Sequence, residues 1–245
     1  MTDLQAIEER YSRRNYLNIP IESDRLSYLK NLINDLNEQS GLTMEFIENA
    51  ETAFNSFLKS YGMFNGVRSI ILLKGPKTDP NVKEKAGYFG ERIVLEATKL
   101  GLGTCFVGGS FDKKCPDINT KINENLVCVI TIGSTPMNRN KKENMFYRVM
   151  HERTKSVESF INSDVPIPHW IEEGLIAVQK APSALNMQKV KFSYKDGNLT
   201  AFVKSESLFN LVDLGIAKLH FEIATGGKFE IGNYASFCDE CVFAK

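Results

Sequence analysis

No run of apolar residues in this chain approaches the roughly 18 that a membrane-spanning helix needs. The opening stretch, MTDLQAIEERYSRRNY, is charged from the start. It lacks the apolar segment of a secretory signal, so the chain is expected to stay in the cytoplasm and off the membrane. Charge of one sign is missing as well. Lys and Arg together number 30 and so do Asp and Glu, which removes any general attraction to nucleic acid or an anionic lipid surface. Any basic site must therefore be local. Cysteines are few and odd in number: Cys105, Cys115, Cys128, Cys238 and Cys241. Scattered through a chain of 245 residues, they do not read as a disulfide framework. A dinucleotide fingerprint is absent too. In Gly101-Leu102-Gly103-Thr104-Cys105-Phe106 the third glycine position holds Phe106, and the glycines follow a helical pattern instead of opening one. There is no Walker loop and no candidate catalytic triad.

What is present suits one large domain, or two small ones sharing a core. Leu4, Ile7 and Tyr11 fall at helical spacing. Arg10 and Arg14, four apart, would then share a helix face. Asp24 can cap a helix whose apolar face is Leu26, Leu29, Leu32, Ile33 and Leu36, with Gly41 ending it. A second helix is expected from Thr43 to about Tyr61. The run VRSIILL (67–73) reads as a buried strand between glycines. Asn81–Leu100 reads as a long helix with Gly101 at its end, followed by strands at 104–107 and 126–132. Residues 134–156 are polar and basic and read as a solvated surface connection. Beyond Pro166 and Pro168 the pattern predicts a helix at 170–180, a loop at 181–189, strands at 190–194 and 199–203 around an Asp-Gly turn, and a helix at 208–224. Trp170, Phe221, Phe229, Tyr234 and Phe237 are expected to be core.

Three segments carry candidate chemistry. Arg10-Tyr11-Ser12-Arg13-Arg14 offers two guanidiniums and a hydroxyl, which suit a phosphate because Arg presents planar, paired donors. It reads equally as a solvated basic helix end. Ala181–Gln188 (APSALNMQ) combines small residues, which let a flat ring approach, with several polar groups; it reads equally as a proline-initiated turn. Gly108-Gly109 follows a short strand and either lets backbone lie against a flat cofactor or simply turns the chain. Cys238-x-x-Cys241 could be redox-active or half of a zinc site, but no second pair lies near it.

Taken in order, these segments resemble the FMN-dependent nitroreductase family. The stretch around Arg10 resembles its R-x-S-x-R opening. Glu84–Gly109 resembles its central helix and glycine turn, Leu126–Gly133 its following strand, Arg153-Thr154-Lys155-Ser156 its basic segment, and Ala181–Gln188 its A-P-S-x-x-N-x-Q loop. The A-P-S loop here comes about 170 residues after the arginines. That order is similar to a nitroreductase branch in which one chain imitates the usual homodimer, and Asp213–His220 (DLGIAKLH) also resembles that branch.

The resemblance implies an α+β, nitroreductase-like fold in two related halves, 1–163 and 164–245, each with a small sheet packed by helices. It implies that Arg10, Ser12 and Arg14 hold the FMN phosphate and ribityl chain, helped by Arg153 or Lys155. Pro182, Ser183, Ala184 and Asn186 would approach the ring, with Gly108 and Gly109 near its reactive edge. NAD(P)H would give a hydride to flavin N5, and a small acceptor such as a nitroaromatic or quinone would take the electrons. Catalytic side chains and metals are not required. One FMN per monomeric chain is expected. A flavin-binding or flavin-scavenging module with little turnover is the alternative; a scaffold binding no flavin is disfavoured, because both halves of the proposed site are present.

Overall fold

The computed structural model describes residues 1–54 and 63–238. Its larger sheet is antiparallel, in the order β1-β2-β4-β3, with β1 Glu45–Ile47, β2 Ser69–Pro76, β3 Gly103–Val107 and β4 Glu124–Gly133. Helices α2 (Ser23–Ser40) and α3 (Val82–Lys99) pack on one face of it. Ile71, Leu73, Cys128, Ile130 and Ile132 point to that side, whereas Ile70, Leu72 and Val129 point to a second cluster with Phe54, Val107 and Phe111. Side chains alternate along a strand, so burying both faces demands the unbroken apolar runs seen in the sequence.

The smaller sheet runs β5-β6-β7, from Ile161–Ser163, Lys191–Lys195 and Asn198–Phe202. Strand β5 joins it in parallel, and β6 and β7 form a hairpin. Its two turn residues, Asp196 (φ 52°) and Gly197 (φ 79°), are both left-handed, as a two-residue hairpin turn requires. Under this sheet lie α5 (His169–Lys180) and α6 (Leu208–Thr225), around Phe192, Leu175 and Phe221. Trp170 stacks on Phe237 at 5.3 Å, and Phe221 and Phe229 complete the aromatic cluster. Tyr234 is exposed, against the expectation of a core position, and stacks on Phe202 at 4.7 Å. The short pair β8 (Lys228–Phe229) and β9 (Phe237–Cys238) closes this end.

The two parts meet where α3 crosses α6. The crossing is close because glycines face backbone: a Cβ on Gly87 would lie 2.0 Å from the Val212 carbonyl oxygen, and one on Gly215 would lie 2.0 Å from that of Glu84. Around it, buried pairs link the helices: Lys218 Nζ to Glu84 Oε1 at 2.5 Å, Tyr88 Oη to Glu222 Oε2 at 2.5 Å, and His220 Nε2 to Glu91 Oε1 at 2.8 Å. Buried charges of this kind are tolerable only when paired.

Three expectations are corrected. The helix expected from Thr43 to Tyr61 is absent over 43–54, which hold β1 and a 3-10 turn at Glu51–Ala53; its remainder, 55–61, lies outside the described residues. Helix α1 is only Asp3–Glu9, and Arg10 is already extended (φ −63°, ψ 130°). The basic connection 134–156 contains a helix, α4 (Lys141–His151). Cys105, Cys115, Cys128 and Cys238 are free thiols, and Cys241 lies outside the described residues. Among the described residues no helix is long and apolar enough to cross a membrane.

Candidate functional site

After α1 the chain becomes a strap along the edge of the larger sheet. Ser12 bridges to Thr104 and Asn15 to Asn65, and the Arg13 amide donates to the Thr104 carbonyl at 2.8 Å. In an extended strap alternate residues share a side. Arg10, Ser12 and Arg14 therefore do share a face, but through the period of a strand and not of a helix. All three line a cleft of about 400 Å³. Arg13 is turned away and buried, donating to Tyr11 Oη at 3.0 Å, the Pro136 carbonyl at 2.8 Å and Glu143 Oε1 at 3.3 Å.

Arg10 is steadied from two sides. Its Nη2 donates to the Lys180 carbonyl at 3.3 Å, and its Nε lies 3.7 Å from Glu91, the carboxylate paired with His220. The Arg10 Nε is buried without a hydrogen-bond partner.

The opposite wall is the loop after α5. Pro182, Ser183 and Asn186 line the cleft. Leu185 (φ 54°), Asn186 (φ 50°) and Gln188 (φ 46°) are left-handed residues with side chains, an unfavourable backbone that surrounding bonds must hold. Those bonds are present. The Ala184 amide donates to both carboxylate oxygens of Asp213 at 3.1 Å, and the Gln188 amide to Ser183 Oγ at 3.1 Å. Asn186 Nδ2 donates to the Met150 carbonyl at 2.6 Å. Burial pushes the Asp213 carboxyl up to about 7.

Arg153 and Lys155 brace this loop from behind. Arg153 Nη1 donates to the Leu185 carbonyl at 3.2 Å and Lys155 Nζ to the Gln188 carbonyl at 2.8 Å. Burial, with Lys191 and Lys189 nearby, holds the Lys155 ammonium below its usual range. Neither side chain lines the cleft, and Ala184 stands behind its neighbours. Gly108 and Gly109 are also outside it. A Cβ on Gly108 would strike the Phe209 ring at 2.1 Å, whereas one on Gly109 would meet nothing within 4 Å.

The third wall is α4, which stands within the stretch expected to be a solvated connection. Asn140 caps it by accepting the Glu143 amide at 2.8 Å. Glu143 is the helix's buried residue and its anchor: Oε1 also accepts the amides of Arg14 at 2.8 Å and Asn15 at 3.1 Å. Phe146, Tyr147, Met150 and His151 face the cleft, with Arg139 just ahead of the helix. The Asn-x-x-Glu cap followed by Phe146 and Met150 at helical spacing was a legible signal.

With this geometry in view, the comparisons with known proteins are informative. No curated protein matches the chain. Among solved structures, the "putative nitroreductase" of Thermotoga maritima is 22% identical, with 97% of this chain and 93% of that one covered and a TM-score of 0.61. An FMN-dependent nitroreductase of Clostridium difficile is 17% identical over 59% of this chain and 95% of its own, with a TM-score of 0.47. A Bacteroides fragilis nitroreductase with bound FMN is 13% identical over 56% of this chain and 90% of its own, with a TM-score of 0.44. The α+β architecture is thus nitroreductase-like. Residues 3–225 match the family described as "Putative TM nitroreductase", and the chain belongs to that nitroreductase family.

Proposed function

We propose that the chain is an FMN-dependent oxidoreductase that uses NAD(P)H to reduce a small acceptor such as a nitroaromatic or a quinone. One observation carries the reading: the R-x-S-x-R strap and the A-P-S loop, about 170 residues apart in sequence, face each other across one cleft. The residues fit FMN. The cleft volume of about 400 Å³ lies within the range of cofactor pockets. Arg10, Arg14 and Ser12 suit a terminal phosphate, and Arg10 is held in place for it by the Lys180 carbonyl and the Glu91 carboxylate. The small residues Pro182 and Ser183 let a flat ring come close.

Bound FMN would supply the redox chemistry, and the protein supplies position and electrostatics. The strap would hold the phosphate and ribityl chain. The strained loop, fixed by Asp213, Arg153 and Lys155, would set where the ring lies. Helix α4 would limit access by water. In this reading Arg153 and Lys155 act by bracing the loop, and Gly108 by letting the sheet end pack against Phe209 of α6.

The asymmetry of the chain supports one FMN per chain. The arginine strap occurs only near residue 10 and the A-P-S loop only near residue 182, so two halves, 1–163 and 164–245, would build one site between them. The α3–α6 crossing then stands where a dimer interface would be, which favours a monomer. Steady-state NADH and NADPH oxidation with a nitroaromatic and with a quinone tests the enzyme reading. Turnover with either acceptor is expected. A protein that holds FMN stoichiometrically yet turns over neither would be a flavin-binding module.

A further inference from the structure

Arg139 lies in the segment that carried no functional assignment, yet it lines the cleft at the start of α4. Its guanidinium sits 3.9 Å from the centre of the Tyr147 ring and 4.9 Å from that of Tyr11. Rings over a guanidinium leave its in-plane N–H donors unengaged, because the hydrogen bonds point outward along the plane. Its Nη1 is buried and has no hydrogen-bond partner. A buried charged donor without an acceptor is costly and calls for an explanation. The nearby carboxylate does not provide one. Glu143, which also lines the cleft, lies beyond ion-pairing distance of Arg139; its Oε1 serves Arg13 and the Arg14 and Asn15 amides, and its Oε2 is buried without a partner. Among the described residues no hydrogen bond or ion pair engages the Arg139 guanidinium, and the residue lines the cleft, so its charge is open to an anion that enters there.

We propose that Arg139 is an anion-binding residue of this cleft, placed to bind a phosphate group of the occupant, and that α4 is tied down through it when the cleft is filled. The proposal rests on the flavin reading for the identity of the occupant. Two sources share the required chemistry: the phosphate monoester of FMN and the phosphates of the nicotinamide cofactor. The stacking explains why the position needs arginine, since a lysine carries a point charge and cannot lie flat between rings.

The test uses the full chain with Arg139→Met and Arg139→Lys. Dissociation constants are measured for FMN and for riboflavin, which lacks the phosphate, together with KM for NADH and NADPH. Thermal shifts with inorganic pyrophosphate are recorded on flavin-free protein. If the flavin phosphate is the anion, Arg139→Met weakens FMN about tenfold or more, leaves riboflavin unchanged, and Arg139→Lys recovers part of the loss. If the nicotinamide phosphates are the anion, FMN affinity holds and KM rises by a similar factor. Either result supports the proposal. Equal weakening of FMN and riboflavin would make the residue a structural prop for α4 and overturn it. So would wild-type behaviour of Arg139→Met toward all four ligands and pyrophosphate. Failure of wild-type protein to bind either flavin would reject the flavin reading alone; the pyrophosphate shift, present in wild type and lost in Arg139→Met, would still support the anion site, and no such difference would overturn it.

Discussion

Replacing Gly215 by alanine puts a methyl carbon 2.0 Å from the carbonyl oxygen of Glu84 and 2.7 Å from the amide nitrogen of Tyr88. Both obstacles are backbone in the first two turns of α3, so no side chain can swing aside. Helix α6 has to retreat by roughly 1 Å to restore van der Waals contact. Overpacking of this kind costs about 1–3 kcal/mol. The retreat also stretches the buried Lys218–Glu84 and Tyr88–Glu222 bonds, each 2.5 Å long, toward the limit of hydrogen bonding. A buried pair that is broken costs roughly 3–5 kcal/mol, and a stretched one part of that. Against this, alanine in place of glycine favours a helix by about 1 kcal/mol. The net expectation is a loss of about 2–5 kcal/mol, a fall in Tm of roughly 5–15 °C for a chain of this size. Thermal and urea unfolding measure it. Gly109→Ala, where a Cβ meets nothing within 4 Å, serves as the control and should stay within about 0.5 kcal/mol of wild type. A Gly215→Ala protein as stable as wild type would refute the close crossing, and with it the account of how the two parts of the chain are joined.

Arg14→Ala is expected to weaken FMN about tenfold or more with little change in Tm. Arg13→Ala should instead lower stability, because it removes the buried ion pair to Glu143 and the bonds to Tyr11 and the Pro136 carbonyl; equal effects of the two on FMN affinity with no stability difference would contradict the strap geometry. Asp213 gives a pH dependence. Its carboxyl is raised from 3.8 to about 7 in the folded chain, so the folded state holds the proton more tightly. Stability from this group is therefore full below about pH 4, falls as pH rises toward 7, and stays reduced above. Asp213→Asn should flatten that limb and gain on the order of a few kcal/mol relative to wild type at pH 8; parallel stability curves for the two proteins would contradict the assignment. Gln188→Ala removes the side chain that accepts from the Lys155 amide at 2.7 Å and donates to the Gln179 carbonyl at 2.9 Å. It should release the strained loop and weaken flavin binding severalfold, read by fluorescence titration.

The sequence carried the elements whose stabilisation is local or simply patterned. Helix α3 shows in the stripe Ala86, Ile93, Val94 and Ala97, β2 and β4 in their unbroken apolar runs, and the hairpin in Asp196-Gly197. Where a tertiary contact overrides local propensity, sequence reasoning missed. Arg10–Tyr16 has helical spacing in its first residues, yet backbone bonds to Thr104 and Asn65 from distant parts of the chain pull it into an extended strap. The functional grouping survived that error, because positions four apart share a face in a strand as well as in a helix. Helix α4 is obscured for a different reason: its apolar residues Phe146 and Met150 sit among many charges and face the cleft, not the core, and Glu143 is its buried residue. Its side chains Tyr147 and His151, with Arg139 ahead of it, line the cleft. Arg153 and Lys155 match the family's basic segment, but their side chains bond the Leu185 and Gln188 carbonyls of a left-handed loop that no local pattern announces.

We infer that the strap and the A-P-S loop build one flavin site per chain. Titrating flavin-free protein with FMN, following the visible absorption and flavin fluorescence with light scattering on the same sample, tests it most directly. Saturation is expected at one FMN per chain of 27.6 kDa, in a species of that mass, with FMN and not FAD released on denaturation. Two FMN per chain would contradict the asymmetric site, and a protein that stays colourless with FMN at micromolar concentration would contradict the claim altogether.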